Sequence, residues 1–259
     1  MTAAASGNNT AGSAPATSAA QVLELRQYAL RPNRFVPFTE LFERELIEPQ
    51  EAVGMTVVGQ FRDLDDPDRF VWLRGFPDRP NRRRALEAFY GGALWQSLRD
   101  QANASFVDTD NVLLLRPLEP GGHIDLDGMA LPAPGSAAPV AGLVIAAIYP
   151  VAADDAAEFR RWFGRELKPA LLAAGIRLAG CYETDPAPND FARLPVREGE
   201  HVFVWMACFA ERRAGEAALH DLTTTRLWRD TLGPGLSRRL GAEPQLLRLE
   251  PTARSRLRG

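Results

Sequence analysis

The apolar and polar positions of this chain follow a pattern that is written twice. Phe38, Leu41, Phe42 and Leu46 recur at i, i+3, i+4 and i+8, the stripe of an amphipathic helix. The stretch that carries them, FTELFEREL from Phe38 to Leu46, returns as FRRWFGREL from Phe159 to Leu167, 121 positions on (159 − 38). At the same offset Tyr28 falls on Tyr149, and GMTVVGQF from Gly54 falls on GIRLAGCY from Gly175. The offset then becomes 133 (204 − 71): Val71-Trp72-Leu73 meets Val204-Trp205-Met206, and Trp95 meets Trp228. The second copy therefore carries 12 extra residues (133 − 121) between its second and third strands, within Thr184 to Gly199. A register held over several elements and broken once in a loop marks an internal duplication.

Each copy reads as strand, helix, strand, strand, helix, strand. In the first, Val22–Tyr28 alternates as a strand and Arg31-Pro32-Asn33 turns the chain. Pro49 is expected to disturb or end the helix that follows. Strands Thr56–Arg62 and Arg69–Phe76 flank an acidic, proline-bearing hairpin turn, Asp63 to Asp68. A second helix, about Asn81 to Phe89, is interrupted at Gly91-Gly92 and resumes from Leu94 to Ala104, before a closing strand at Val112–Arg116. The second copy predicts strands near Leu143–Tyr149, Arg177–Glu183, His201–Phe209 and Gln245–Leu249, and helices near Asp154–Ala173 and Gly215–Leu232. Pro- and Gly-rich residues 119–139 read as a linker between repeats at 21–118 and 140–251, with a disordered tail at 1–20 and a short one at 252–259.

The order βαββαβ is that of a ferredoxin-like unit, whose helices cover one face of an antiparallel sheet. One unit alone leaves its other sheet face in water, at a cost of ~25 cal/mol per Å² of apolar surface. The predicted class is α+β: two tandem units pressed sheet to sheet into a barrel, closed within one chain or between chains.

Glu24-Leu-Arg-Gln-Tyr28, the run from Phe61 to Phe70, Val71-Trp-Leu-Arg-Gly-Phe76 and Ala88-Phe-Tyr-Gly-Gly-Ala-Leu-Trp95 resemble the NIPSNAP family. The resemblance is close over residues 22 to 118, and the second copy shares the skeleton but few signature residues. It implies a dimeric α+β barrel. The wider superfamily includes cofactor-free monooxygenases, isomerases, haem enzymes and binding proteins, so the fold alone does not choose a reaction.

Strand alternation puts Leu23 and Leu25 toward the helices, and Glu24, Arg26, Tyr28, Trp72 and Arg74 toward the opposing sheet. At the corresponding positions the second copy has Ile145, Ala147, Tyr149, Trp205 and Ala207. The expected inter-sheet cavity is polar on one wall and apolar on the other. It would suit an amphipathic small molecule whose anionic or oxygen-rich end meets Arg26 and Arg74, with Tyr28, Trp72, Tyr149 and Trp205 as walls. A structural ion pair of Glu24 with either arginine is the plainer reading of the same residues.

Composition narrows the rest. Of 259 residues, 46% are hydrophobic and 24% charged, with a net charge of −3, which gives no basic footprint for nucleic acid. Lys168 is the sole lysine, so the basic residues are nearly all arginine. Two cysteines without a CxxC, and three scattered histidines, predict neither a disulfide framework nor a metal site. The acidic turn lacks the glycine and distal glutamate of an EF-hand loop. Neither a phosphate-loop motif nor an apolar run of membrane-span length occurs, and the chain is expected to be cytoplasmic, with a homo-oligomer left open. His201 and His220 are the histidines weighed as general bases, and histidine-dependent chemistry in the superfamily favours His220 as the catalytic candidate. The expectation is a small-molecule ligand and no cofactor, haem being a weaker option. The protein would be a cofactor-independent isomerase, lyase or monooxygenase-type enzyme, or else a non-catalytic binding or assembly protein with a side-chain-filled barrel. The 12 extra residues, with Phe191 among them, read as a lid or an oligomer contact.

Overall fold

The computed structural model describes residues 20–119, 122–136 and 142–259; the tail expected at 1–20 lies, except for Ala20, outside the described residues. The first module runs β1 (Val22–Leu30), α1 (Phe35–Leu41), a π-helical turn (Phe42–Leu46), α2 (Ile47–Ala52), β2 (Thr56–Asp63), β3 (Arg69–Phe76), α3 (Arg79–Gly91), α4 (Ala93–Asn103), β4 (Phe106–Asp108) and β5 (Val112–Pro117). The second runs β6 (Leu143–Pro150), α5 (Ala156–Trp162), a π-helical turn (Phe163–Leu167), α6 (Lys168–Ala173), β7 (Leu178–Thr184), β8 (Val202–Phe209), α7 (Arg212–Thr224), a π-helical turn (Trp228–Leu232), α8 (Gly233–Ser237) and β9 (Gln245–Pro251).

The duplication extends to the irregularities. The π-helical turns at Phe42–Leu46 and Phe163–Leu167 stand 121 positions apart (163 − 42), on the repeated stretch itself. Pro49 and Pro169 follow these turns closely, where a missing N–H and a bulky ring conflict with the i→i−4 ladder. The helix therefore widens by a π-turn and continues through Pro49, where the sequence suggests a break. Each module also has a register shift in its second strand, between Val57 and Gly59 and between Leu178 and Gly180. A Cβ on Gly59 would stand 2.6 Å from the Phe61 ring, and one on Gly180 2.8 Å from the Tyr182 ring, so glycine is required at both.

Eight strands close a barrel in the order β3-β2-β9-β6-β8-β7-β5-β1, with β1 pairing back onto β3 and every pairing antiparallel. Strand β4 adds to β1 outside this ring. The modules meet along two short seams, β2 with β9 and β5 with β7. The barrel thus closes within a single chain.

The barrel interior is mostly aliphatic, with Phe61 and Tyr182 among its side chains. Leu23, Leu25, Val71 and Leu73 of the first module meet Val144, Ile148, Val204 and Met206 of the second there. The opposite set of alternating positions faces the helices: Tyr28, Phe70, Trp72 and Phe76 pack with Phe38, Phe42, Leu86 and Phe89. This reverses the facing expected from the sequence. Aliphatic side chains fill most of the space between the two sheets, and most of the first module's aromatics pack in the helix–sheet layer. Glu24, Arg26 and Arg74 lie on the aromatic side, so they do not line an inter-sheet cavity.

Both intervening segments help to close the barrel. In the segment read as a linker, Ile124 is buried among the interior side chains, and its N–H donates to the Tyr182 hydroxyl at 2.7 Å. Beyond β9, Leu257 is 1% exposed in the same interior cluster and donates its N–H to the Val58 carbonyl. The chain end is thus a plug. Leu257→Ala should lower unfolding free energy by about 2–5 kcal/mol in urea titrations, as for a core leucine; a change under about 0.5 kcal/mol, typical of a surface site, would contradict the plug.

Candidate functional site

The β1–β3 pairing sets Glu24 opposite Arg74, Arg26 opposite Trp72 and Tyr28 opposite Phe70. Cross-strand neighbours on one face of a sheet are in contact range, so two arginines converge on one carboxylate. A third comes from α3. Asp78 caps that helix, its carboxylate accepting the Asn81 N–H at 2.7 Å, and this fixes Arg82 in the first turn, pointing at the sheet. Glu24 Oε2 accepts from Arg26 Nη1 and from Arg74 Nε, and Oε1 accepts from Arg82 Nε, each at 2.7 Å. All four side chains are at most 1% exposed.

Further residues complete the cluster. Arg74 Nη1 donates to Gln50 Oε1 and to the Tyr90 hydroxyl, both at 3.3 Å, and its guanidinium lies 5.1 Å from the Trp72 ring centre. Arg26 Nε donates to the Tyr28 hydroxyl at 2.8 Å. Because both phenolic oxygens accept from arginines, their own protons are free to be donated elsewhere. Across the top, the β7–β8 loop of the second module brings Asn189 and Asp190 to Arg82, and Phe191 to Tyr90.

Burial acts to raise the Glu24 carboxyl, but the charges of Arg74, Arg26 and Arg82 and the Arg74 hydrogen bond outweigh it and hold it far below the usual carboxylate range. Glu24 is therefore an anchor for three cations and a poor base. Burial pushes the Tyr28 phenol up, with Arg26 pulling the other way, so Tyr28 remains protonated at neutral pH. Donors outnumber acceptors: Trp72 Nε1, Arg74 Nη2 and Arg82 Nη2 are buried without a partner among the described residues. Such a set suits an oxyanion or a carboxylate.

The second module is the same frame without the charges. The equivalents of Glu24, Arg26, Arg74 and Arg82 are Ile145, Ala147, Ala207 and Gly215, all buried. Tyr149 and Trp205, expected as cavity walls, lie in this module's own helix–sheet core, where Trp205 Nε1 donates to the Tyr149 hydroxyl at 3.1 Å. In the first module Arg26 takes the equivalent Tyr28 hydroxyl, which leaves Trp72 Nε1 unpaired. Five of the residues singled out from sequence, Glu24, Arg26, Tyr28, Trp72 and Arg74, thus come together, and Tyr149 and Trp205 stand apart. His220 is exposed on α7 of the second module. His201 lines a separate open cleft of about 780 Å³, its Nε2 3.8 Å from Glu183. Burial pushes the Cys181 thiol up to about 11 and the Cys208 thiol up to about 12, so neither offers a thiolate at neutral pH. In the acidic turn, Asp63 and Asp66 pair with Arg69, and Asp65 with Arg248.

Arg82, Gln50 and Asp190 escaped the sequence reading. Arg82 had a signal: with Ala85, Leu86 and Phe89 it forms an i, i+3, i+4, i+7 stripe, which puts an arginine on the buried face of α3. Asp190 had none, since its contact is made between modules.

Glu24→Gln leaves three buried guanidiniums without their carboxylate, and a loss of about 3–5 kcal/mol is expected at neutral pH by denaturant titration. The depressed carboxyl contributes stability in full above its unfolded value near 4.5, and loses it as pH falls from there toward the folded value. The gap between wild type and Glu24→Gln should therefore narrow from about pH 5 to about pH 3; a constant gap would mean that Glu24 is not held ionised.

The fold recurs in solved structures. An anthrone oxidase-like protein is 14% identical with a TM-score of 0.59, covering 93% of this chain and 97% of that one. A candidate monooxygenase from Fusobacterium nucleatum is 8% identical, with a TM-score of 0.54 and coverage of 90% and 93%. Another from Lactobacillus acidophilus is 11% identical, with a TM-score of 0.50 and coverage of 89% and 93%. At these identities the likeness is one of fold. No curated protein matches the sequence. The NIPSNAP family pattern matches residues 23–120, the span that builds the first module and its charge cluster. The charged half of this single-chain α+β barrel is thus the part that is similar to the NIPSNAP family.

Proposed function

We propose that the first module binds the acidic or oxygen-rich end of a small amphipathic metabolite between its sheet and helices, and acts on it as a cofactor-independent enzyme. The observation that carries this reading is the contrast between the two modules. The second builds the same strands, helices, π-turn and bulge with Ile145, Ala147, Ala207 and Gly215. The frame therefore does not need the charges, and burying three guanidiniums is unfavourable unless something compensates them. Spare donors on Arg74, Arg82 and Trp72 supply the place where a ligand's oxygens would compensate that excess.

The chemistry such a site favours is the stabilisation of negative charge forming on oxygen, as in an enolate. Arg26 and Arg74 would hold the oxyanion, Tyr28 and Tyr90 would donate protons, and Glu24 would fix the guanidiniums. An isomerase, lyase or monooxygenase-type reaction on an enolisable substrate fits this arrangement. Names given to proteins of the same fold, anthrone oxidase-like and monooxygenase, are compatible with it. The site is the helix–sheet layer of one module, and the aliphatic barrel interior has no part in it.

Thermal-shift measurements with small amphipathic acids, phenols and 1,3-dicarbonyls test this. A ligand at 100-fold its Kd adds about 2.7 kcal/mol to the native state. Acidic compounds should raise the melting temperature of the wild type, and neutral isosteres should not. Arg74→Met and the milder Tyr90→Phe should reduce the shift. Stabilisation that survives both substitutions would move the ligand elsewhere.

A further inference from the structure

The loop that carries the 12 extra residues of the second module packs on the first. The loop between β7 and β8 reaches α3 of the first module, where Asp185 and Asp190 pair with Arg79. Arg79 also donates to the Ala187 and Pro188 carbonyls. Phe191 is 7% exposed in the first module's core. The loop's deepest polar contact is Asp190 with Arg82. Arg82 is fully buried, with Nε bound to Glu24, Nη1 to Asp190 and Asn189, and Nη2 unpartnered among the described residues. Asp190 is 24% exposed, so the carboxylate that completes the charge balance of Arg82 comes from the solvent side and from the other module.

We propose that Asp190 occupies the carboxylate subsite of the first module, and that the ligand is a monocarboxylic acid with an apolar body that takes its place on Arg82. This rests on the reading of the first module as the ligand site. The physical ground is charge conservation. Lifting Asp190 away by itself would leave the buried Arg82 with Glu24 alone, a carboxylate already shared with two other guanidiniums, an expensive state. Exchange of one carboxylate for another keeps Arg82 compensated before and after. A neutral molecule cannot make that exchange, so the lid selects for acids as well as excluding water. On the same guanidinium as the exchanged carboxylate is the unpartnered Nη2 of Arg82, and the next loop residue, Phe191, has its ring 6.1 Å from that of Tyr90.

The other side of the loop gives room for the exchange. The cleft of about 780 Å³ is lined by Asp185 to Pro188 and by Val196 to His201. Leu114 lines that cleft and also belongs to the first module's helix-facing core. A displaced loop can move into this space, and Leu114 is a buried residue shared by the cleft and the core.

The test uses isothermal titration of the full chain with benzoate, phenylacetate and 3-phenylpropionate, each beside its primary amide. Asp190→Asn removes the competing carboxylate while keeping its size. It should bind the acids at least ten-fold more tightly than wild type and gain nothing toward the amides. Phe191→Ala loosens the same loop without altering charge, and it should leave the preference for acid over amide unchanged. Hydrogen exchange of residues 185–200 should speed up when wild type is saturated with acid. Equal acid affinities for wild type and Asp190→Asn, with binding still lost in Arg74→Met, would overturn the exchange and leave the ligand site standing. Equal gains for acids and amides in Asp190→Asn would also overturn it. Absence of acid binding in both proteins would remove the site itself.

Discussion

One carboxylate organises half of this molecule. Glu24 sits in the middle of β1 and holds Arg26 on its own strand, Arg74 on β3 and Arg82 on α3, all through 2.7 Å hydrogen bonds. Those contacts tie a sheet to a helix by ionic bonds where its sister module uses only Ile145, Ala147, Ala207 and Gly215. Buried charge clusters of this kind are rarely the cheapest way to build a core. With the frame available in an uncharged version along the same chain, the cost has to be referred to what the cluster does.

Duplication made this division of labour possible. A lone ferredoxin-like unit exposes one sheet face, and two such units bury those faces against each other. Here both units belong to one chain, so each is free to diverge. The second has the aromatic pair, Tyr149 and Trp205, joined by a direct hydrogen bond, and none of the charges of the cluster. It also carries the long β7–β8 loop, which packs on the first module. The pseudo-copy supplies the barrel's other wall.

The sequence exposed the repeat in detail. The 121-residue offset found in FTELFEREL and FRRWFGREL coincides with the spacing of the π-turns, and the 12 extra residues fall in the β7–β8 loop that reaches the first module. What it did not reveal was which set of alternating residues faces which layer. Both faces of every module's sheet are buried, so the usual contrast of apolar against polar is missing and alternation alone is symmetrical. The charges of Glu24, Arg26 and Arg74 pointed toward a wet interior. Shape was the better guide, because Tyr28, Phe70, Trp72 and Phe76 gather against the helices while Leu23, Leu25, Val71 and Leu73 fill the inter-sheet space. Arg82 was readable from its place on an apolar helical stripe. Asp190 was not, since its partner lies 108 residues away in another module.

The central claim is that the cluster serves binding and the frame stands without it. The direct measurement replaces all four charges at once by side chains of similar volume, Glu24→Leu with Arg26→Met, Arg74→Met and Arg82→Met, and follows urea unfolding together with binding of small aromatic acids. Apolar replacement of a whole buried ion cluster is often neutral or stabilising by about 1–4 kcal/mol. The expected result is a cooperatively folding protein, no less stable than wild type, that binds no acid. A quadruple variant that cannot fold, or one that folds and still binds acids, would contradict the account.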